Sequence, residues 1–241
     1  MIQVTGLKKQ FHGTDAVAGL DFSVAGGSIT ALIGPNGAGK STTFQCIGGV
    51  LVPTSGQIHL NGQSMWAEKS QARQELGYVP QEPALFPMLT AQEYLDYLTG
   101  IGGGRGLDPK RQQDLIRRLG LEPHQGQLIR NCSGGTVRKL AALGAFWLAP
   151  RHLVLDEIFN GLDPESTIEL KAILRELAQE GAAILISSHV LDLVERLCDQ
   201  ILIMVRGQLK SSLCGEELVG IRAQHGLEEA FARAIRSEGL P

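Results

Sequence analysis

Short uninterrupted apolar runs alternate with amphipathic stretches along the second half of the chain. Residues 152–156, 182–186 and 201–205 are runs of this kind, rich in Val, Ile and Leu. Each has the length of a strand buried on both faces. Between the first two, Leu170, Ile173, Leu174 and Leu177 fall at i, i+3, i+4 and i+7. That spacing predicts a helix over 165–180 with one apolar face, and a second helix is expected over 190–198. Strands and helices in alternation build a parallel sheet through right-handed crossovers, and such sheets take ligands at their C-terminal edge.

The first half is organised differently. Residues 1–33 read as short strands separated by turns, the last of them Ser28–Ile33 (S-I-T-A-L-I). Asn61-Gly62 directly after Gln57-Ile58-His59-Leu60 is a strong hairpin signal. From about 82 to 149 the pattern turns helical, and the glycine cluster of 100–106 predicts a loop between helices. Residues 215–241 carry Leu218, Ile221, Leu227, Phe231 and Ile235 among charges, the pattern of one or two amphipathic helices. The expected architecture is one α/β domain without internal repeats. Its core would be 1–81 and 150–214, interrupted by a helical subdomain over 82–149 and followed by a helical tail over 215–241.

Candidate chemistry begins directly after the strand Ser28–Ile33. Gly34-Pro35-Asn36-Gly37-Ala38-Gly39-Lys40-Ser41-Thr42 matches G-x-x-x-x-G-K-[ST], a complete phosphate-binding loop. Glycines allow backbone N–H groups to turn toward phosphates, Lys40 can reach a β- or γ-phosphate, and the Ser41 hydroxyl can ligate Mg²⁺. A helix expected from Ser41 adds unpaired N–H groups and a partial positive charge. The strand before and the helix after separate this loop from an ordinary glycine-rich turn.

A second stretch narrows the chemistry. Ser133-Gly134-Gly135 opens a helix-length segment that leads to Leu153-Val154-Leu155-Asp156-Glu157. The two acids close a strand, so they stand at the sheet edge beside the phosphate loop. There Asp156 can hold the Mg²⁺ shell and Glu157 can polarise a water aimed at a γ-phosphate. Ser-Gly-Gly at a helix start is itself an anion cradle. One nucleotide does not need two cradles in one chain, unless the second serves a nucleotide held by another copy.

In these motifs, and in their order along nearly the whole chain, the sequence resembles the nucleotide-binding subunits of ATP-binding cassette (ABC) transporters. The resemblance implies a P-loop NTPase core with a mainly parallel sheet, an N-terminal antiparallel part and an inserted helical subdomain. It implies ATP and Mg²⁺ as ligands. It assigns the phosphate loop to 34–42, the Q-loop glutamine to Gln81 and the signature to Ser133-Gly134-Gly135. It makes Asp156 the metal-binding acid, Glu157 the catalytic glutamate and His189 the γ-phosphate-sensing histidine. Asn160-Gly161-Leu162-Asp163 matches the D-loop, and Phe11 stands where the family carries an adenine-stacking aromatic. Gln81 would serve the metal and signal to a membrane partner. Asp163 also precedes Pro164, so it is equally expected as a helix N-cap.

The departures are confined to flanking positions. Cys132 replaces the usual Leu or Tyr, Thr136 the usual Gln, and Ile158-Phe159 the common Pro-Thr. None removes a phosphate ligand, a metal ligand or the base. Ile158 restores a backbone donor and is expected to relax the constraint on Glu157. The apolar stretch 83–89 either closes the helical lobe's own core or receives a helix of a membrane partner. Coiled-coil insertions and tandem cassettes, which mark soluble relatives acting on DNA or ribosomes, are not in the sequence. Lys40, Glu157 and His189 are intact, against a module that has lost hydrolysis. Arg138-Lys139, the Cys-Ser-Gly-Gly signature and the absence of a C-terminal regulatory domain resemble exporter ATPases that pair with a separate permease.

Composition bears on the surroundings. The 241 residues are 43% hydrophobic, enough for one substantial core. A net charge of −3 offers no basic footprint for nucleic acid. Cys46, Cys132, Cys198 and Cys214 form no C-x-x-C pair and suit a reducing compartment. The first residues lack an apolar signal region, and the longest apolar run, 140–150, is too short to cross a bilayer. The expected setting is the cytoplasmic face of a membrane, where a permease supplies the spans and a second ATPase subunit, identical or paralogous, completes a dimer.

Overall fold

The computed structural model describes residues 1–67, 71–103, 105–224 and 226–236. Strands β1 (Ile2–Phe11) and β2 (Thr14–Val24) pair antiparallel at the start of the chain. β3 (Ser28–Ile33) leads through the glycine-rich loop into α1 (Lys40–Ile47), and β4 (Ser55–Leu60) and β5 (Gln63–Ser64) form the hairpin expected at Asn61-Gly62. β6 (Leu76–Val79) precedes three helices, α2 (Ala91–Ile101), α3 (Pro109–Arg118) and α4 (Gly134–Trp147). The alternating half then follows: β7 (His152–Leu155), α5 (Pro164–Gln179), β8 (Ala183–Ser187), α6 (Leu191–Leu197) and β9 (Gln200–Val205). β10 (Gln208–Cys214), α7 (Gly215–Gln224) and α8 (Leu227–Arg236) close the described chain, and the end of the tail, 237–241, lies outside the described residues.

Two sheets result. One is antiparallel with the order β2-β1-β4-β5; the other has the order β10-β9-β3-β8-β7-β6 and is parallel except for β10. The larger sheet is buried on both faces, which is why its strands read as continuous apolar runs. Ile29, Ala31 and Ile33 of β3 and Ile201 and Ile203 of β9 pack into the core that includes α2 to α6. Their neighbours Leu32, Leu202 and Met204 point the other way, into a core shared with the antiparallel sheet and with Phe44, Cys46 and Ile47 of α1. Leu170, Ile173, Leu174 and Leu177 of α5 are all buried, as their spacing requires.

The N-terminal strands differ from the expected short ones: β1 and β2 run for 10 and 11 residues. Their pairing register shifts between Val4 and Leu7, where Gly6 adopts φ +55°, and again further along. Bulges break the period-two alternation that marks a single long strand, so the sequence reads as fragments. The expected bounds of β3, β7, α5, β8, α6 and β9 hold to within one residue. The helical pattern expected from about 82 starts only with α2 at Ala91, and α2 runs to Ile101, into the expected glycine loop. Thr90 and Glu93 form a capping box on α2; Asp108, Ser133 and Asp163 cap α3, α4 and α5.

Charged side chains tie α3 to α5. The Arg118 guanidinium donates to Glu169 Oε2 (2.9 Å) and through both terminal nitrogens to Glu176 (2.9 Å each), while Arg111 reaches Glu180 Oε1 (2.9 Å). Hydrogen bonds from Arg118 hold the Glu176 carboxyl below its ordinary value. A carboxylate held low stabilises the fold above its ordinary titration range and loses that contribution as pH falls through the folded value. Solvent screens this half-buried pair to about 1 kcal/mol. Glu176→Gln should therefore lower unfolding free energy by about 1 kcal/mol at pH 7, with the difference shrinking in more acidic buffer; paired urea titrations at neutral and acidic pH measure it.

Candidate functional site

The loop between β3 and α1 is shaped by two close backbone approaches. A Cβ at Gly34 would fall on the Met204 carbonyl oxygen, and one at Gly39 on the Ala16 carbonyl oxygen. Gly39 also sits at φ +100°, so no other residue fits there. Ala38 and Gly207 hydrogen-bond across the turn after β9 (2.9 Å), and Gly207 in turn accepts from Ala18 (2.8 Å). The loop thus hangs from β2 and from the β9–β10 turn.

The loop borders a cleft of about 270 Å³ lined by Asn36 to Thr42 with Ala16, Gln81 and Glu157. Lys40 Nζ donates to the carbonyls of Gly34 (2.7 Å) and Pro35 (3.1 Å). Burial pushes its pKa down, against Glu157 and Asp156, which pull it up. The α1 N-terminus opens on the same cleft, an arrangement suited to a polyphosphate.

Across the cleft stand the two acids that follow β7. Asp156 is buried, and burial raises its carboxyl pKa although Ser187 and Ser41 hydroxyls hydrogen-bond to it and Lys40 lies near. Ser187 Oγ donates to Asp156 Oδ1 (2.5 Å) and accepts from the Glu157 N–H (2.8 Å). One hydroxyl at the end of β8 therefore fixes both acids at the end of β7. Glu157 is largely buried, and its Oε2 accepts from His189 Nδ1–H (2.9 Å), whose ring is mostly exposed. Glu157 adopts φ +53°, the left-handed region that costs a non-glycine residue about 1–3 kcal/mol. The Asn160 N–H closes a turn back onto Glu157 O (3.1 Å), and Ile158 is buried within that turn.

Gln81 lies at the mouth of the cleft, its Oε1 3.5 Å from Ser41 Oγ. Ser41, Gln81 and Asp156 thus offer oxygen donors from three segments, a set suited to a hard divalent cation. Among the described residues no group of three or more His, Cys, Asp or Glu side chains gathers as a metal site.

Three expected participants lie apart from this cleft. Ser133, Gly134 and Gly135 start α4 but do not line it; Ser133 Oγ caps the helix through the Thr136 N–H (3.1 Å) and pairs with Thr136 Oγ1 (2.8 Å). Phe11 is exposed beside Lys9, whose Nζ is 5.3 Å from the ring centroid. Asp163 caps α5 through Ser166 (2.8 Å to N, 2.6 Å to Oγ), and these bonds hold its carboxyl low. Of the stretch 83–89, Leu85 and Leu89 pack on the core, whereas Phe86 and Met88 are exposed. Sequence reasoning did not single out Ser187, although a serine closing an apolar strand at the ligand edge is the signal that could have marked it.

Known proteins resemble this chain in sequence and in fold. Residues 17–160 match the family described as ABC transporter. The linearmycin resistance ATP-binding protein LnrL of Bacillus subtilis is 35% identical over 247 residues, covering 98% of this chain and 79% of that protein. A solved ATP-binding subunit of an ABC transporter superposes with a TM-score of 0.86 at 32% identity, covering 97% of this chain and 99% of that one. The dimeric cassette MJ0796 with ADP and Pi, at 19% identity and a TM-score of 0.79 over 88% of this chain and 97% of that one, shares the fold. Among the described residues no helix is long and apolar enough to cross a membrane. The chain belongs to the ABC transporter family and has the P-loop ATPase fold of its ATP-binding subunits.

Proposed function

We propose that this chain hydrolyses ATP to drive a partner permease in export, with Glu157 as general base. The observation that carries this reading is Glu157, which lines the same cleft as the phosphate loop and is hydrogen-bonded to His189 and to Ser187, the hydroxyl that also holds Asp156. Gly34 to Thr42 bind the phosphates through N–H groups, and Lys40 leaves its loop carbonyls for the β- and γ-phosphates. Mg²⁺, when bound, neutralises phosphate charge, and Ser41, Gln81 and Asp156 would hold it. Glu157 takes the proton of the attacking water. His189 keeps the Glu157 carboxylate turned toward the cleft, and its exposed ring edge is free to meet the γ-phosphate. Phe11 stacks on the adenine.

Ser133, Gly134 and Gly135 serve the nucleotide of a second copy or a paralogue, with Asp163 at that interface. Their separation from the chain's own cleft supports this reading, as does the dimer formed by the cassette MJ0796. In this reading the core is 1–81 with 150–214, the helical subdomain is 82–149, and the tail is 215–241. Phe86, Met88, Tyr97 and Ile101 expose apolar surface on the helical part, with Phe86 packed edge-on against Tyr97 (5.4 Å). Patches of this kind mark partner surfaces, and here the partner is the permease, which holds the chain at the cytoplasmic face of the membrane. Export rests on the signature pattern and on likeness to a protein named for linearmycin resistance.

Lys40→Ala should weaken binding of a fluorescent ATP analogue at least about tenfold, the worth of a charge-assisted contact to phosphate. Undiminished affinity would remove residues 34–42 from the phosphate site. Glu157→Gln should keep ATP affinity, slow turnover by about 10²–10⁴-fold and accumulate a dimer with Mg-ATP on size exclusion; unchanged turnover would exclude Glu157 as the base.

Ser133→Arg should abolish hydrolysis while the monomer still binds ATP. Mixing it with Lys40→Ala chains creates one site with an intact phosphate loop and an intact signature, and activity should partly return. Loss of ATP binding by the Ser133→Arg monomer would place the signature in the chain's own site.

A further inference from the structure

The Arg138 side chain reaches across three segments. It is the fifth residue of α4, so the helix links it rigidly to Ser133 at the cap. Its Nη1 donates to the Asn160 carbonyl, and its Nη2 to the Gln81 carbonyl (3.3 Å). Gln81 lines the cleft, and Asn160 is bonded to the backbone of Glu157, which lines it too. Gln81 Oε1 lies 3.5 Å from Ser41 Oγ, and the Asn160 N–H holds Glu157 O (3.1 Å). Gly161 makes room for the contact: at φ +69°, a Cβ there would stand 2.9 Å from Arg138 Nη1.

We propose that Arg138 is a positioning residue that couples the signature helix to Gln81 and Glu157 of the same chain, so that engagement of Ser133 by a partner's nucleotide sets the geometry of this chain's own hydrolytic cleft. Gln81 and Asn160 lie outside the regular strands and helices, where backbone carbonyls depend on side-chain donors. A guanidinium presents five donors in a planar fork and spans two carbonyls on separate segments; an ammonium is a compact point charge without that fork. A shift or rotation of α4 therefore moves both carbonyls together. The inference rests on the proposal above that Ser133 serves a second copy's nucleotide, but its output is read on turnover.

The test uses the full chain with Arg138→Lys and Arg138→Ala. Both variants should bind the fluorescent ATP analogue within about twofold of the unsubstituted chain and melt within a few degrees of it, since the contacts are at the surface of the fold. Turnover should fall about tenfold or more with KM nearly unchanged, the signature of an interaction used after binding. Methylguanidinium should raise Arg138→Ala turnover at least about threefold, because it restores the planar fork, and should leave Glu157→Gln unaffected. Arg138→Lys turning over like the unsubstituted chain would overturn the proposal. So would a rate loss matched by equal loss of folded protein or of ATP affinity, or a failure of methylguanidinium to rescue. A Glu157→Gln chain that stays monomeric with Mg-ATP would instead strike the proposal that two chains share a site, and the turnover and rescue results would still decide whether Arg138 positions Gln81 and Glu157.

Discussion

The hydroxyl of Ser187 holds the chemical edge of this molecule together. It gives its proton to Asp156 and accepts the Glu157 N–H, binding the end of β8 to the end of β7. Without that bridge a buried carboxylate and a strained backbone would stand side by side with no shared anchor. With it, Glu157 is held in the left-handed region and aimed into the cleft, where His189 completes its hydrogen bonding. The parallel order β3-β8-β7 brings these strand ends to the phosphate loop, so the sheet topology and the site geometry are one arrangement.

The electrostatics of the cleft are unbalanced in a way that suits its ligands. Asp156 has its pKa raised by burial, and Lys40 has its pKa lowered by burial. Both charges are therefore costly as they stand, and both are relieved by partners of opposite sign: a cation at the oxygens of Asp156, Ser41 and Gln81, and phosphates at Lys40 and the α1 N-terminus. An anionic nucleotide carrying a divalent cation answers both demands at once. The Lys40 bonds to Gly34 and Pro35 keep the ammonium satisfied and close to where it is needed.

Much of this was legible in the sequence because local rules and tertiary rules agree here. The spacing of Leu170, Ile173, Leu174 and Leu177 gave the buried face of α5, and Asn61-Gly62 gave the β4–β5 hairpin. The phosphate loop could be read because Gly34 and Gly39 are dictated by backbone contacts that nothing larger would permit. What could not be read depends on contacts between distant segments. The bulges at Gly6 and beyond hid the length of β1; the bridges from Ser187 and Arg138 join residues 22 to 57 positions apart. The left-handed backbone of Glu157, which the Ser187 hydroxyl anchors through the Glu157 N–H, likewise had no local signal in the residues around it.

The central claim is that a working site needs the phosphate loop of one chain and the signature of another. Its most direct test is the dependence of specific ATPase activity on protein concentration, measured for the unmodified chain at saturating Mg-ATP. A shared site predicts specific activity that rises with protein concentration at the dilute end, as monomers combine, and then reaches a plateau. Specific activity that is substantial and constant down to the lowest concentrations, with the chain monomeric throughout, would show that a single copy holds a complete site and would contradict the claim.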